Sequence, residues 1–259
     1  MINWLSRIFT KPKFDFQPTF PIPPCPNGKR WVMTDIHGCL NTFLGLLEQL
    51  QLSKTDQLFL LGDLIHKGPS SSGVLEEIFR LQKIGYQVYV IRGNHEQMLI
   101  DCAEHESYKL SYILEKFQAT DLLQRKSKVK PKYINFFKSL PYYFELDRHF
   151  LVHAGFNFKA INPFQDYENM MWIKSFTPQA TILKGKHLIH GHVTKRLPII
   201  EYAVDQKQLV IPLDNGCVYW KQREGYGHLL ALELNSWELK TQENLDFKMF
   251  LGTRMAVNA

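Results

Sequence analysis

The sequence holds only four cysteines, Cys25, Cys39, Cys102 and Cys217, and no two stand at a spacing that suggests a pair. Neither a disulfide framework nor a zinc ribbon follows, and a reducing compartment, the cytoplasm, is the expected setting. No apolar run approaches the ~20 residues that cross a bilayer, so no transmembrane segment is expected. The N-terminus carries Arg7 and Lys11 but lacks an apolar signal core with a small-residue cleavage site. Internal repeats and a dividing linker are lacking too. At 259 residues, 45% of them hydrophobic, the body reads as one soluble α/β domain that buries a large core.

Acidic residues are the minority charge. The formal net charge is +6 and the pI about 9.0, which favours anionic partners, phosphates among them. Much of the excess lies in Arg125-Lys126-Ser127-Lys128-Val129-Lys130-Pro131-Lys132. That run reads first as a solvated basic loop, with a contact for phosphoprotein, nucleic acid or lipid headgroups as the alternative. It has no interleaved aromatics on which bases could stack, so no nucleic-acid partner is expected.

Residues 1–28 are proline-rich towards their end and read as an extended arm lying on the body. Within it Trp4, Leu5, Ile8 and Phe9 form the apolar face of one helical turn, expected to dock on the body, with membrane-surface contact as the alternative. A catalytic body over 29–245 and a tail over 246–259 follow. From Arg30 the pattern alternates strand and helix. Trp31-Val32-Met33-Thr34 is a strand, Asn41 is placed to cap a helix, and Gln57 to Leu61 form a second strand. Ser70 or Ser71 is placed to cap the next helix, Gly85 to end it, and residues 86–91 form a third strand. Such alternation implies parallel strands with right-handed crossovers. Residues 97–140 read as mostly helical. Residues 142–146 and 150–152 read as an antiparallel pair around Asp147-Arg148, and Leu188-Ile189 leads into His190. Strands are also expected at 209–213, 217–220 and 229–234. A second, mainly antiparallel sheet packed on the first is the simplest arrangement.

The ends of these strands carry the chemistry. In extended backbone, residues i and i+2 point the same way, so Asp35 and His37 form a clip for one ion. Asp63, released from its strand by Gly62 and closed off by Gly68, offers one oxygen to that ion and the other to a second. Asn94 offers an amide oxygen, and His153 and His192 offer imidazoles. Oxygen and nitrogen ligands without thiolate suit manganese, with iron or zinc as alternatives, better than calcium. Two such ions ~3.5–4 Å apart form a clamp for in-line displacement at phosphorus.

Taken together, Asp35-x-His37, Gly62-Asp63-x4-Gly68, Gly93-Asn94-His95-Glu96, His153-Ala154-Gly155 and Gly191-His192 resemble the phosphoprotein phosphatase branch of the calcineurin-like metallophosphoesterases. The resemblance covers roughly residues 30–220. It implies an α/β fold of two mixed β-sheets packed as a sandwich flanked by helices, in four layers, and attack of metal-bound water without a phosphoenzyme. By motif position it implies that Asp35, His37 and Asp63 hold one metal, and Asp63, Asn94, His153 and His192 the other. His95 would protonate the leaving oxygen, with Glu96 and Asp214 standing behind the ligands. His190 competes with His192 for the last ligand position, and Gly191-His192-Val193-Thr194 fits the family pattern better. The protein phosphatases of the family usually have Asp-Arg where this chain has His66-Lys67. His66 could orient His95 but offers it no negative charge. Lys67 meets a phosphate as a point charge without the fork of arginine. Lys174 stands where relatives often place a phosphate-binding arginine.

The expected activity is hydrolysis of phosphomonoesters, first of phosphoserine or phosphothreonine in proteins. The alternative is symmetrical cleavage of diadenosine tetraphosphate or attack on another small phosphoester. Enzymes of the dinucleotide type also tend to lack the aspartate that His66 replaces, but they insert a helical cap between His-Ala-Gly and the final Gly-His. Here only residues 154–191 separate His153 from His192. A non-catalytic scaffold is the second alternative; it would have lost ligands, and here all six positions are filled.

Overall fold

The structure, a computed structural model, describes residues 19–125 and 128–247. The expected helical turn of residues 4–9 lies outside them. Five strands form one mixed sheet, in the order β11 (Leu239–Glu243), β10 (His228–Glu233), β1 (Arg30–Met33), β2 (Gln57–Leu60), β3 (Gln87–Val90). Four form another, in the order β6 (Tyr143–Glu145), β7 (His149–Val152), β8 (His187–His190), β9 (Val210–Pro212). Val32, Phe59, Leu61 and Ile91 of the first sheet meet Phe144, Leu151, Ile189 and Ile211 of the second in one buried cluster. Each such side chain contributes ~1.5–3 kcal/mol of burial. On its other face the first sheet carries α1 (Leu40–Leu50), α2 (Ser71–Lys83) and α3 (Asn94–His105), through Phe43, Leu46, Leu75, Ile78 and Leu99. The second sheet buries Phe150 and Leu188 against Met170 and Met171 of α6 (Tyr167–Trp172). Helices therefore flank both sheets.

Register decides where the functional loops emerge. Met33, Leu60 and Val90 are neighbours across three parallel strands, so the chains that follow leave the sheet level with one another. Val152, His190 and Pro212 are neighbours in the same way across the second sheet. Loops at the carboxyl ends of parallel strands are where α/β folds place ligands.

Several expectations need correction. The second sheet is mainly parallel: only β6 and β7 run antiparallel. Crossovers containing α6 and α7 (Ala180–Leu183), then α8 (Leu197–Asp205), return the chain to the same end each time. Residues 217–220 are not a strand. Gly216, at φ +66°, bends the chain into a 3-10 turn over Cys217–Tyr219. Residues 97–140 contain, besides α3, α4 (Leu110–Lys116) and α5 (Pro131–Ser139), a two-stranded hairpin of β4 (Leu123–Arg125) and β5 (Lys128–Val129). Cys39, not Asn41, stands at the N-cap of α1, while Ser70 stands where expected before α2 but makes no capping bond through its side chain. The N–H groups of Asn41 and Thr42 donate to Asp246, and that of Ser72 donates to Asp121. Both carboxylates come from distant sequence, which local reading cannot see. Asp246 is buried and Phe247 packs on the core, so the body extends past residue 245. The described end of the arm lies on the body, with Phe20 edge-on to Phe144 at 5.2 Å.

Candidate metal centre

The loops after β1, β2, β3, β8 and β9 meet in a cavity of about 80 Å³ lined by Asp35, His37, Asp63, Asn94, His95 and His192, with Lys67, Thr194, Asp214 and Tyr219 around them. His153, fully buried after β7, stands behind Asn94. The backbone is held in unusual conformations to achieve this. His37, Asp63, His66, Lys67 and His192 all have φ between +49° and +73°, a region that side chains with a Cβ seldom occupy. Two glycines are required by close approach. A Cβ on Gly93 would lie 2.4 Å from Asp63 Oδ1, and one on Gly191 would lie 2.2 Å from Asp35 Oδ1. Glu96 ties the β2 and β3 loops together. Its carboxylate accepts from the N–H groups of Gly93, Asp63 and Leu64 at 2.8–2.9 Å.

The histidines are oriented from behind. A carbonyl oxygen only accepts, so His37 Nδ1 donates to Ile65 O (3.1 Å) and His153 Nδ1 donates to Leu61 O (2.7 Å). Both rings therefore present a bare Nε2 to the cavity. His37 Nε2 lies 3.6 Å from Asp63 Oδ2 and 3.9 Å from Asp35 Oδ2. His153 Nε2 lies 3.4 Å from Asp63 Oδ1. Asp63 thus turns one oxygen to each side.

The donor set fits divalent cations. Asn94 Oδ1 is 2.9 Å from His153 Nε2, 3.0 Å from His192 Nδ1 and 3.2–3.3 Å from the two oxygens of Asp63. With its NH₂ inward the Asn94 amide donates to these acceptors, and with its oxygen inward it joins a carboxylate and two imidazole lone pairs as ligands for a cation among the four atoms. The charges agree. Burial, with the charges of Asp214 and Asp63, holds the Asp35 carboxyl well above the usual range. Burial pushes Asp63 and Asp214 up to about 6. Burial also drives His153 down to about 4, His192 to about 2, and His37 well below the usual imidazole value, so all three present lone pairs. Two sets of side chains could each hold an ion: His37, Asp63 and His95, and Asp63, His153 and His192.

The calcineurin-like phosphoesterase pattern matches residues 28–228, most of the chain. The chain belongs to this family. It is a metallophosphoesterase, a hydrolase. The curated proteins it resembles include the symmetrical bis(5'-nucleosyl)-tetraphosphatases of Psychromonas ingrahamii, 33% identical over 99 residues, and Erwinia tasmaniensis, 39% identical over 71. These alignments cover 36% and 27% of this chain, and only 35% and 25% of the relatives. Among solved structures, a protein provisionally described as a diadenosine tetraphosphatase shares the fold over 88% of this chain and 97% of its own, at TM-score 0.60 and 21% identity. A serine/threonine phosphatase from Saccharomyces cerevisiae does so over 84% and 80%, at TM-score 0.57 and 17% identity. At these identities the likeness concerns the fold alone.

Within the metallophosphoesterase, His190 is buried but turned away. Its Nδ1 meets Gly191 O and its ring lies against Phe176 at 5.4 Å. Lys67 reaches into the cavity, its Nζ 2.7 Å from His37 Nε2. Lys174 is exposed and outside the cavity lining, though its charge contributes to the low pKa of His192. His66 meets His95, Nδ1 to Nδ1, at 2.8 Å. Phe117, which no motif flagged, stacks on His66 at 5.1 Å and stands edge-on to His95 at 5.7 Å. Thr194, Val218 and Tyr219 also line the cavity unforeseen; only the closeness of Tyr219 to Asp214 in sequence hinted at it.

Proposed function

We propose that the metallophosphoesterase cleaves the phosphoanhydride of dinucleoside polyphosphates, diadenosine tetraphosphate foremost, with Asp35, His37 and Asp63 holding one divalent cation and Asp63, Asn94, His153 and His192 the other. When bound, such cations supply Lewis-acid polarisation of the phosphoryl group and lower the pKa of water. Lys67 adds a positive charge beside them.

The observation that carries the substrate reading is the His66–His95 pair. His66 Nε2 is buried without a hydrogen-bond partner. A buried orphan N–H is costlier than a bare lone pair, so the proton of His66 sits on Nδ1 and is donated to His95 Nδ1. That leaves the His95 proton on Nε2, the atom turned towards Asp63 Oδ2 at 3.9 Å. His66 is thus a positioning residue, and it holds His95 neutral. Among the described residues no carboxylate meets His95 Nδ1, and burial and Lys67 push its pKa well below the imidazole value. A neutral imidazole is a weak acid. It suits a leaving nucleoside diphosphate, which departs as an anion, better than a serine or threonine alkoxide, which needs a proton. The curated relatives support the same substrate class.

Phosphoserine or phosphothreonine, ranked first from sequence, is the second reading. It is favoured by the interval 154–191, whose helices α6 and α7 are six and four residues long and form no cap. The experiment is a comparison of kcat/KM, with manganese, on diadenosine tetraphosphate and on a phosphoserine peptide. Preference for the dinucleotide with ADP as sole product supports the first reading; preference for the peptide reverses the order.

A further inference from the structure

The imidazoles of His66 and His95 are held by a side chain from outside every motif. Phe117 closes α4, its N–H on Ile113 O at 2.9 Å and Gln118 after it at φ +55°. Leu114 and Ala119 on either side are buried, and Ala119 N–H donates to Leu114 O at 2.8 Å, so the turn is anchored. The Phe117 ring is half-buried and joins none of the apolar clusters of the described residues. It lies instead on His66, with centroids 5.1 Å apart and planes 20° apart, and edge-on to His95 at 5.7 Å.

The backbone of the same residue holds the turn that carries His66. His66 and Lys67 stand at φ +73° and +71°, a conformation that costs about 1–3 kcal/mol each and persists only where neighbours impose it. His66 N–H donates to Ser71 Oγ at 2.9 Å, Lys67 N–H to Phe117 O at 2.6 Å, and Gly68 N–H to His37 O at 2.8 Å. Phe117 thus grips the turn twice, by its carbonyl at Lys67 and by its ring at His66.

We infer that Phe117 is a positioning residue for phosphoester cleavage: its ring sets the plane of His66, which keeps His66 Nδ1 aimed at His95 Nδ1 and His95 Nε2 turned to the metal centre. This rests on the reading of His95 as the group that protonates the leaving oxygen, whichever phosphoester is the substrate. The torsion about the Cβ–Cγ bond of histidine is broad, so the side chain does not set its own plane. Hydrogen bonding fixes the His66 ring at one atom only, Nδ1, since Nε2 has no partner among the described residues. A ring held at one atom is free to swing, and the 2.8 Å Nδ1 to Nδ1 contact weakens steeply once its angle opens. The flat face of Phe117 removes that freedom.

The test compares full-length wild type, Phe117→Leu, Phe117→Tyr and His95→Asn. Leucine keeps apolar bulk without a flat face, tyrosine keeps the face, and the carbonyl at Lys67 is present in all. In metal-free protein with ¹⁵N-labelled histidine, the His66 Nδ1 proton is expected as a downfield resonance protected from exchange in wild type and Phe117→Tyr, and lost in Phe117→Leu. With manganese, the ratio of kcat on p-nitrophenyl phosphate to kcat on phenyl phosphate is expected to rise about tenfold or more in Phe117→Leu, since a misplacement of ~1 Å costs up to about 10²-fold. Phe117→Tyr is expected to return the ratio to that of wild type. A resonance that persists in Phe117→Leu, or a Phe117→Tyr that behaves as Phe117→Leu does, overturns the inference. The reading of His95 fails separately. A ratio that rises in His95→Asn but not in Phe117→Leu removes the positioning alone, and a ratio unchanged in both removes the acid and its positioning together.

Discussion

His66 and His95 face each other with their Nδ1 atoms 2.8 Å apart, sealed beneath Phe117. Imidazole against imidazole shares one proton where a carboxylate would attract a second. Replacing His66 by aspartate restores that attraction and raises the basicity of His95. His66→Asp is expected to raise kcat/KM for a phosphoserine peptide relative to diadenosine tetraphosphate by about tenfold or more, within the 10²–10⁴ span of general acid catalysis. Steady-state kinetics on both substrates checks it. An unchanged ratio means that the pair does not set leaving-group preference.

Glu96 accepts from the N–H groups of Asp63, Leu64 and Gly93, and burial with the nearby Asp63 charge pushes its carboxyl up to about 7. Glu96→Gln turns an NH₂ towards N–H donors. The expected cost is ~1–3 kcal/mol, with a Tm lowered by roughly 2–4 °C per kcal/mol. Metal affinity should fall by about 10–100-fold, because the ligand loses its anchor. Calorimetry and metal titration measure the two separately.

At the far end of the second sheet His149 is buried beside His187 and Trp237, and its Nε2 has no partner. Burial, with the charges of His187, Arg148 and Arg30 against that of Glu233, lowers its pKa to about 4. Between the unfolded value of about 6.5 and 4, the unfolded chain takes up a proton that the folded chain refuses, so stability falls as pH drops through that window. The loss approaches ~3 kcal/mol at its lower end. Urea unfolding at pH 7.5 and pH 5 should show a larger drop for wild type than for His149→Phe. Equal drops remove His149 as the cause.

The first three strands and their loops were legible because each strand is a short apolar run closed by glycine, and because parallel alternation implies one common edge. Asp35, His37, Asp63, Asn94, His95, His153 and His192 all reach the cavity or its wall. What the sequence hid is tertiary. Asp246 and Asp121 cap helices far from them in the chain, and Phe117 reaches the histidine pair from a helical stretch without any motif. The direction of β8 and β9 depends on the crossovers through α6, α7 and α8, two of which are six and four residues long. Tyr219 reaches the cavity because Gly216 takes a positive φ that propensity alone does not announce.

The central claim is that Asp63 joins two cations. Metal-free protein titrated with manganese and followed by electron paramagnetic resonance tests it, with Asp63→Asn alongside. Asparagine tolerates the φ of +49° at this position, so the variant should fold. The account predicts two manganese ions per wild-type chain with a spin-coupled spectrum, and loss of the coupling together with about 10²-fold or more of the turnover in the variant. Uncoupled manganese in wild type, or a variant with unaltered spectrum and turnover, would contradict it.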